Sequence, residues 1–162
     1  GADIVGSAAA IPVVDNSFDF VTSLDTMEHI PKSLRPNVVY ELIRVAKRFV
    51  ILVAPSSSME NRWAESFVLQ FRHDDFLLEH KEQGLVEFDQ IVMQLAELKE
   101  RGKITSYSQH GLDNLQTWVN LMTEDYANSS EVYKQSHEML ENKFIPRRFA
   151  VIVNKYRAQN GP

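Results

Sequence analysis

Residues 40–55 read YELIRVAKRFVILVAP, and the second half of that stretch decides the fold. Phe49 to Ala54 is an unbroken apolar run, stopped by Pro55 and then by Ser56, Ser57 and Ser58. An apolar run without alternation is the pattern of a parallel strand covered on both faces. Working back from it, Val38, Val39, Leu42, Ile43, Val45 and Ala46 recur on one helical face. Pro31, Ser33 and Pro36 mark the entry of that helix, which is expected to run to about Lys47. Further upstream, Asp15-Asn16-Ser17 is a turn signal, and Phe18 to Leu24 (FDFVTSL) mixes aromatic and β-branched residues in the manner of a buried strand ending near Asp25. Strand, helix and strand in that order predict a parallel sheet with right-handed crossovers. One more short strand is expected near residues 3–6, before a loop interrupted by Pro12.

The middle of the chain changes character. From Met59 to Arg101 the pattern is helical, with Trp63, Phe67 and Phe71 at spacings of four and Phe88, Ile91, Val92, Leu95 and Leu98 on one face. A short strand is expected over Ile104–Ser108, then a helix through Leu115, Trp118, Val119 and Met122, a helix over Glu131–Glu141, and a closing strand over Phe149–Tyr156. The fold class expected is α/β, as a single domain over 1–162 with a helical insertion or cap at 59–101.

Bulk properties narrow the function. The chain has 162 residues, a formal net charge of -5 and no cysteine. The acidic balance excludes a broad electrostatic footprint for nucleic acid or anionic membrane. Disulfides and thiolate chemistry are excluded outright. With no signal peptide and no apolar run of transmembrane length, the expected address is cytoplasmic. His73, His80, His110 and His137 are widely spaced and form no H-x-x-x-H pair, so no metal is expected.

Residues 6–33, GSAAAIPVVDNSFDFVTSLDTMEHIPKS, followed by residues 40–55, resemble the type 11 group of class I S-adenosylmethionine-dependent methyltransferases. The shared features are a proline-containing turn, an Asn-Ser-Phe-Asp strand entry, a Glu-His-hydrophobic-Pro motif, a Glu-Leu-x-Arg-Val helix and an apolar strand. The resemblance implies a Rossmann-like, mostly parallel sheet with S-adenosylmethionine lying across the carboxyl ends of its strands. It places Ser7 where the family has an aspartate toward the adenine, Ala8 as the next backbone amide, and Asp25 at the cofactor's sulfonium side. Glu28 and His29 then fall at the entrance for the acceptor, as a carboxylate and an imidazole suited to general base work or to capping the next helix.

None of the six glycines stands in a G-x-G arrangement. A backbone that approaches the cofactor's methionine part needs such glycines. The resemblance therefore implies the C-terminal portion of the methyltransferase fold, truncated before its glycine-rich part, with weak cofactor binding by these residues alone. It also implies unpaired strand edges and a homo-oligomer.

A second Glu-His pair, Glu79-His80, precedes Gly84-Leu85 and is similar to a segment of methyltransferases associated with polysaccharide synthesis, which makes both residues candidates for substrate binding. Trp63, Phe67, Phe71 and Trp118 then read either as core beneath a cap or as sugar-stacking platforms. The function expected is O-methylation of a saccharide or small metabolite. The alternative is a non-catalytic, methyltransferase-like scaffold. A hydrolase is not supported, since there is no G-x-S-x-G elbow.

Overall fold

Among the described residues, four strands form one sheet in the order β1-β2-β4-β3, where β1 is Phe18–Leu24, β2 Ala46–Pro55, β3 Ser106–Asn114 and β4 Pro146–Asn154. The computed structural model describes residues 4–124 and 144–155, together with Lys134, Glu138 and Leu140. β1 and β2 pair in parallel, while β4 pairs antiparallel with both β2 and β3. β1, β2 and β3 therefore run the same way and β4 alone is reversed between them. The expectation of a mostly parallel sheet holds for strand direction but not for pairing. Inserting one reversed strand turns two of the three ladders antiparallel.

The helix α1 (Arg35–Val45) has Pro36 in its first turn, where a missing N–H costs nothing. It stops two residues short of Lys47, because Ala46 is already extended and opens β2. Val38, Val39, Leu42 and Ile43 of α1 pack on Val50, Leu52 and Ala54 of β2. Phe88, Ile91, Leu95 and Leu98 of α4 (Phe88–Glu100) join the same core. Each such side chain, fully buried, contributes about 1.5–3 kcal/mol. α4 thus belongs to the layer on the sheet rather than to a cap. Its end is a Schellman motif: Lys103 N–H donates to the Leu98 carbonyl and Gly102 N–H to that of Lys99, with Gly102 at φ 67°.

The helices α2 (Met59–Val68) and α3 (Asp75–Gln83) are started by Ser58 and Asp74, whose side chains accept from the N–H groups of Asn61 and Leu77. α5 (Leu115–Met122) is capped likewise by Asn114. Ala64 and Phe67 of α2 and Leu115 and Val119 of α5 make a second core. Trp63 and Phe71 pack on it, with Trp63 stacked on Phe67 at 5.0 Å, so those three aromatic residues are packing residues.

Four expectations are corrected. Residues 4–6 form no strand, and Ser7 and Ala10 make only an isolated bridge, since among the described residues no strand lies beside them to pair with. β1 is not buried: Phe18, Phe20 and Leu24 are 43%, 59% and 59% exposed, because β1 is the edge strand and these side chains share its uncovered face. β2 is covered on both faces only in its second half: Val53 and Pro55 are buried, but Phe49 and Ile51 on the same face are half-buried. β3 begins at Ser106 and continues to Asn114, beyond the expected Ser108. Its polar residues conceal a strand whose second half pairs with β4, Gly111 leaving room for Pro146. The helix expected over 131–141 lies outside the described residues except for Lys134, Glu138 and Leu140.

Candidate active site

A cavity of about 750 Å³ opens at the carboxyl ends of the three co-directional strands and the start of the reversed one. Asp25 follows β1, Pro55 ends β2, Asp113 and Asn114 end β3, and Arg147 and Arg148 begin β4, and all six line the cavity. This is the crevice in which open α/β sheets bind ligands.

Glu28 and His29 are placed by a 3₁₀ turn, Met27–His29, directly after β1. Met27 is fully buried and anchors the turn, and Glu28 beside it is only 1% exposed. Arg35 of α1 ties this turn to the end of α3, donating to the Ile30 carbonyl at 2.9 Å, to Leu85 at 3.0 Å, to Gln83 at 3.2 Å and to Gly84. Gly84, at φ 77°, takes a backbone conformation that other residues avoid.

The tie brings the two Glu-His pairs together. His29 Nδ1 donates to Glu79 Oε2 at 2.7 Å, and the His29 and His80 rings lie 4.9 Å apart. His80 Nδ1 donates in turn to Glu65 Oε1 at 2.9 Å, and Arg147 Nη2 donates to the same oxygen at 2.5 Å. The Arg147 guanidinium lies 4.3 Å from the centre of the Trp118 ring, which lines the cavity. Glu65, His80 and Arg147 are all buried, so the Glu65 carboxylate and the Arg147 guanidinium are stable there only as a bonded pair, with His80 as a second partner of the carboxylate. Among the residues that line the cavity, three buried atoms nonetheless have no partner: Glu28 Oε2, His80 Nε2 and Arg147 Nη1. Burial pushes the Glu28 carboxyl above the ordinary range, against the opposing pull of a backbone hydrogen bond. Burial likewise lowers the Arg147 guanidinium, with Glu65 opposing it.

Asp25 borders the cavity at φ 45°, a costly conformation for a residue with a side chain. Its Oδ2 accepts from Arg148 Nη1 at 2.6 Å, and Arg148 Nε donates to Asp113 Oδ2 at 2.5 Å. Arg148 thereby clamps the ends of β1 and β3. Ser7 and Ala8 do not line the cavity. The Ser7 hydroxyl accepts from Ala9 N–H at 3.2 Å within its own turn. The following segment is fastened to α1, where Arg44 donates to the Ile11 and Val13 carbonyls and Glu41 accepts from Ile11 N–H.

Sequence reasoning missed Glu65, Arg147, Arg148 and Arg35. Glu65 carried a signal: Asn61 and Glu65 sit one turn apart among Ala64, Phe67 and Val68, and all five are buried. Polar residues on the apolar face of a helix need partners inside. The arginines carried none, because their partners come from distant segments. His73 and His110 remain exposed, on Asp75 and Ser108 respectively, away from the cluster.

Residues 2–54 match the family model described as a methyltransferase domain. That match covers the first third of the chain, almost to the end of β2. Solved methyltransferases share its fold at low identity. A phosphoethanolamine N-methyltransferase 2 from Haemonchus contortus, in complex with phosphomonomethylethanolamine and S-adenosylhomocysteine, aligns with a TM-score of 0.53 and 14% identity over 93% of this chain and 36% of its own. A SAM-dependent methyltransferase from Archaeoglobus fulgidus aligns at 0.52 and 12% identity, over 88% of this chain and 62% of its own. The small RNA methyltransferase HEN1 aligns at 0.52 and 14% identity, over 91% of this chain and 15% of its own. No curated protein matches. Since these methyltransferases differ in acceptor, the shared fold does not name one. No described helix is long and apolar enough to cross a membrane.

Proposed function

We propose that the cavity receives a methyl acceptor and that the domain serves transfer of a methyl group from S-adenosylmethionine to an oxygen of a saccharide or small metabolite. The observation that carries this reading is the pairing of His29 with Glu79 at the cavity wall, 2.7 Å apart. A carboxylate bonded to Nδ1 fixes the tautomer and leaves Nε2 to take a proton. His29 is then the base toward the acceptor hydroxyl, Glu79 its orienting partner, and Glu28 and His80 line the place where the acceptor sits. Arg147 and Trp118 also line the cavity.

S-adenosylmethionine supplies the methyl group when bound. Of the residues the family resemblance assigns to it, Asp25 borders the cavity, while Ser7 and Ala8 are held in their own turn outside it. The fit is therefore confined to Asp25, whose carboxylate already serves Arg148. Each absent charge-assisted hydrogen bond is worth about 1.5–3 kcal/mol, so the 162 residues alone bind the cofactor at least ~100-fold more weakly than a complete site.

Calorimetric titration with S-adenosylhomocysteine tests this on two proteins: these residues, and the same residues preceded by a glycine-rich strand-turn-helix. Binding and methyl transfer are expected from the second only, with His29→Ala lowering its kcat by roughly 10²–10⁴. Micromolar binding by the first would overturn the account of the cofactor. An unchanged kcat in the His29 variant would overturn the role of the base.

A further inference from the structure

We propose that Glu28, His29 and His80 form a site for one divalent cation of the zinc class, independently of any role in methyl transfer. Each offers one ligand atom, and the three atoms lie within 4.8 Å of one another. Two observations go beyond proximity. Glu28 Oε2 and His80 Nε2 are buried without a hydrogen-bond partner, on side chains 1% and 7% exposed. A buried carboxylate oxygen and a buried imidazole nitrogen left unpaired each cost free energy that a bound cation recovers.

The second observation is the outer set of bonds. His29 gives its Nδ1 to Glu79 and His80 gives its Nδ1 to Glu65, at 2.7 and 2.9 Å. A carboxylate behind each histidine is the arrangement that orients metal ligands and fixes the tautomer, leaving Nε2 for the ion. Two imidazoles and one carboxylate are the donor set of open first-row metal sites, with Zn²⁺ bonds of about 2.0–2.2 Å. The donors stand on one 3₁₀ turn and one helix that Arg35 ties together, so a small contraction closes them on the ion. All three ligand residues line the cavity, which gives an ion a path of entry.

The test is titration of the metal-free 162-residue protein with Co²⁺, read by its visible absorption, and with Zn²⁺ by equilibrium dialysis. One equivalent is expected to bind. Glu28→Gln and His80→Gln each remove a ligand and should abolish the cobalt spectrum. Glu79→Gln, which touches only the outer set, should weaken affinity by about 10–100-fold. His73→Gln and His110→Gln should change neither. Near-ultraviolet circular dichroism verifies that each variant is folded, and if the His80 variant is not, Glu28→Gln decides. No binding by the folded wild type, or binding that survives Glu28→Gln and is lost in the His73 or His110 variants, overturns the proposal.

Discussion

His29 Nδ1 and Glu79 Oε2 stand 2.7 Å apart although 50 residues separate them in the chain. The pair is half open to solvent, with the side chains 25% and 43% exposed. The neighbouring pair, His80 with Glu65, is 7% exposed on both sides. Two Glu-His contacts in one cluster thus differ mainly in their access to water.

That difference gives a direct contrast in stability. Glu79→Gln is expected to change the free energy of unfolding by no more than ~1 kcal/mol, as for other solvated ion pairs. Glu65→Gln leaves Arg147 buried without its countercharge and is expected to cost about 3–5 kcal/mol. Urea denaturation of both variants checks this. Equal effects would mean that the Glu65 network is not buried as described.

Glu28 is expected to cost stability. Its buried carboxylate oxygen lacks a partner, so Glu28→Gln should stabilise the metal-free protein at neutral pH by about 1–3 kcal/mol. The sign follows from the raised pKa. A carboxyl harder to ionise when folded is penalised above its folded pKa, and the penalty vanishes as pH falls below the unfolded value. The gap in melting temperature between variant and wild type should narrow on acidification. A variant less stable than wild type at neutral pH would refute this.

Glu41 behaves in the opposite sense. Its hydrogen bond to Arg44 holds the carboxyl below the ordinary range, helped by Ile11 N–H and opposed by burial. The stability so gained is complete above the unfolded pKa of about 4.3 and is lost as pH falls through the folded value. Acid should therefore release the segment Ile11–Asp15 from α1. Glu41→Gln is expected to make the melting temperature less dependent on pH below about 4.3. An identical acid profile would show that this contact contributes nothing.

The edge of the sheet should be adhesive. β1 pairs only with β2 among the described residues and exposes Phe18, Phe20 and Leu24. An open strand edge with apolar side chains recruits other chains. Light scattering is expected to give a mass that rises with concentration, and Phe20→Lys to return it to one chain. A single-chain mass for the wild type at all concentrations would refute the homo-oligomer.

The chain order of strands and helices could be read from local pattern, since FVILVA needs cover and the face of Val38, Val39, Leu42 and Ile43 needs a sheet. The limits of β1 were read correctly as Phe18–Leu24, but not its exposure, because burial depends on which strand lies alongside. β3 was half missed for a related reason: its polar second half is a strand only because β4 pairs with it.

Both Glu-His pairs were recognisable as dipeptides, from the residue types alone. What each pair touches was decided by the tertiary structure. His29 binds the glutamate of the other pair, His80 binds Glu65 from α2, and Arg147 arrives from the last strand. Sequence determines periodicity and local chemistry, which act over a few residues. Charge pairing inside a cavity is fixed by where the backbone returns, and here Arg35 and the reversed strand β4 bring it back to the ends of β1 and β2.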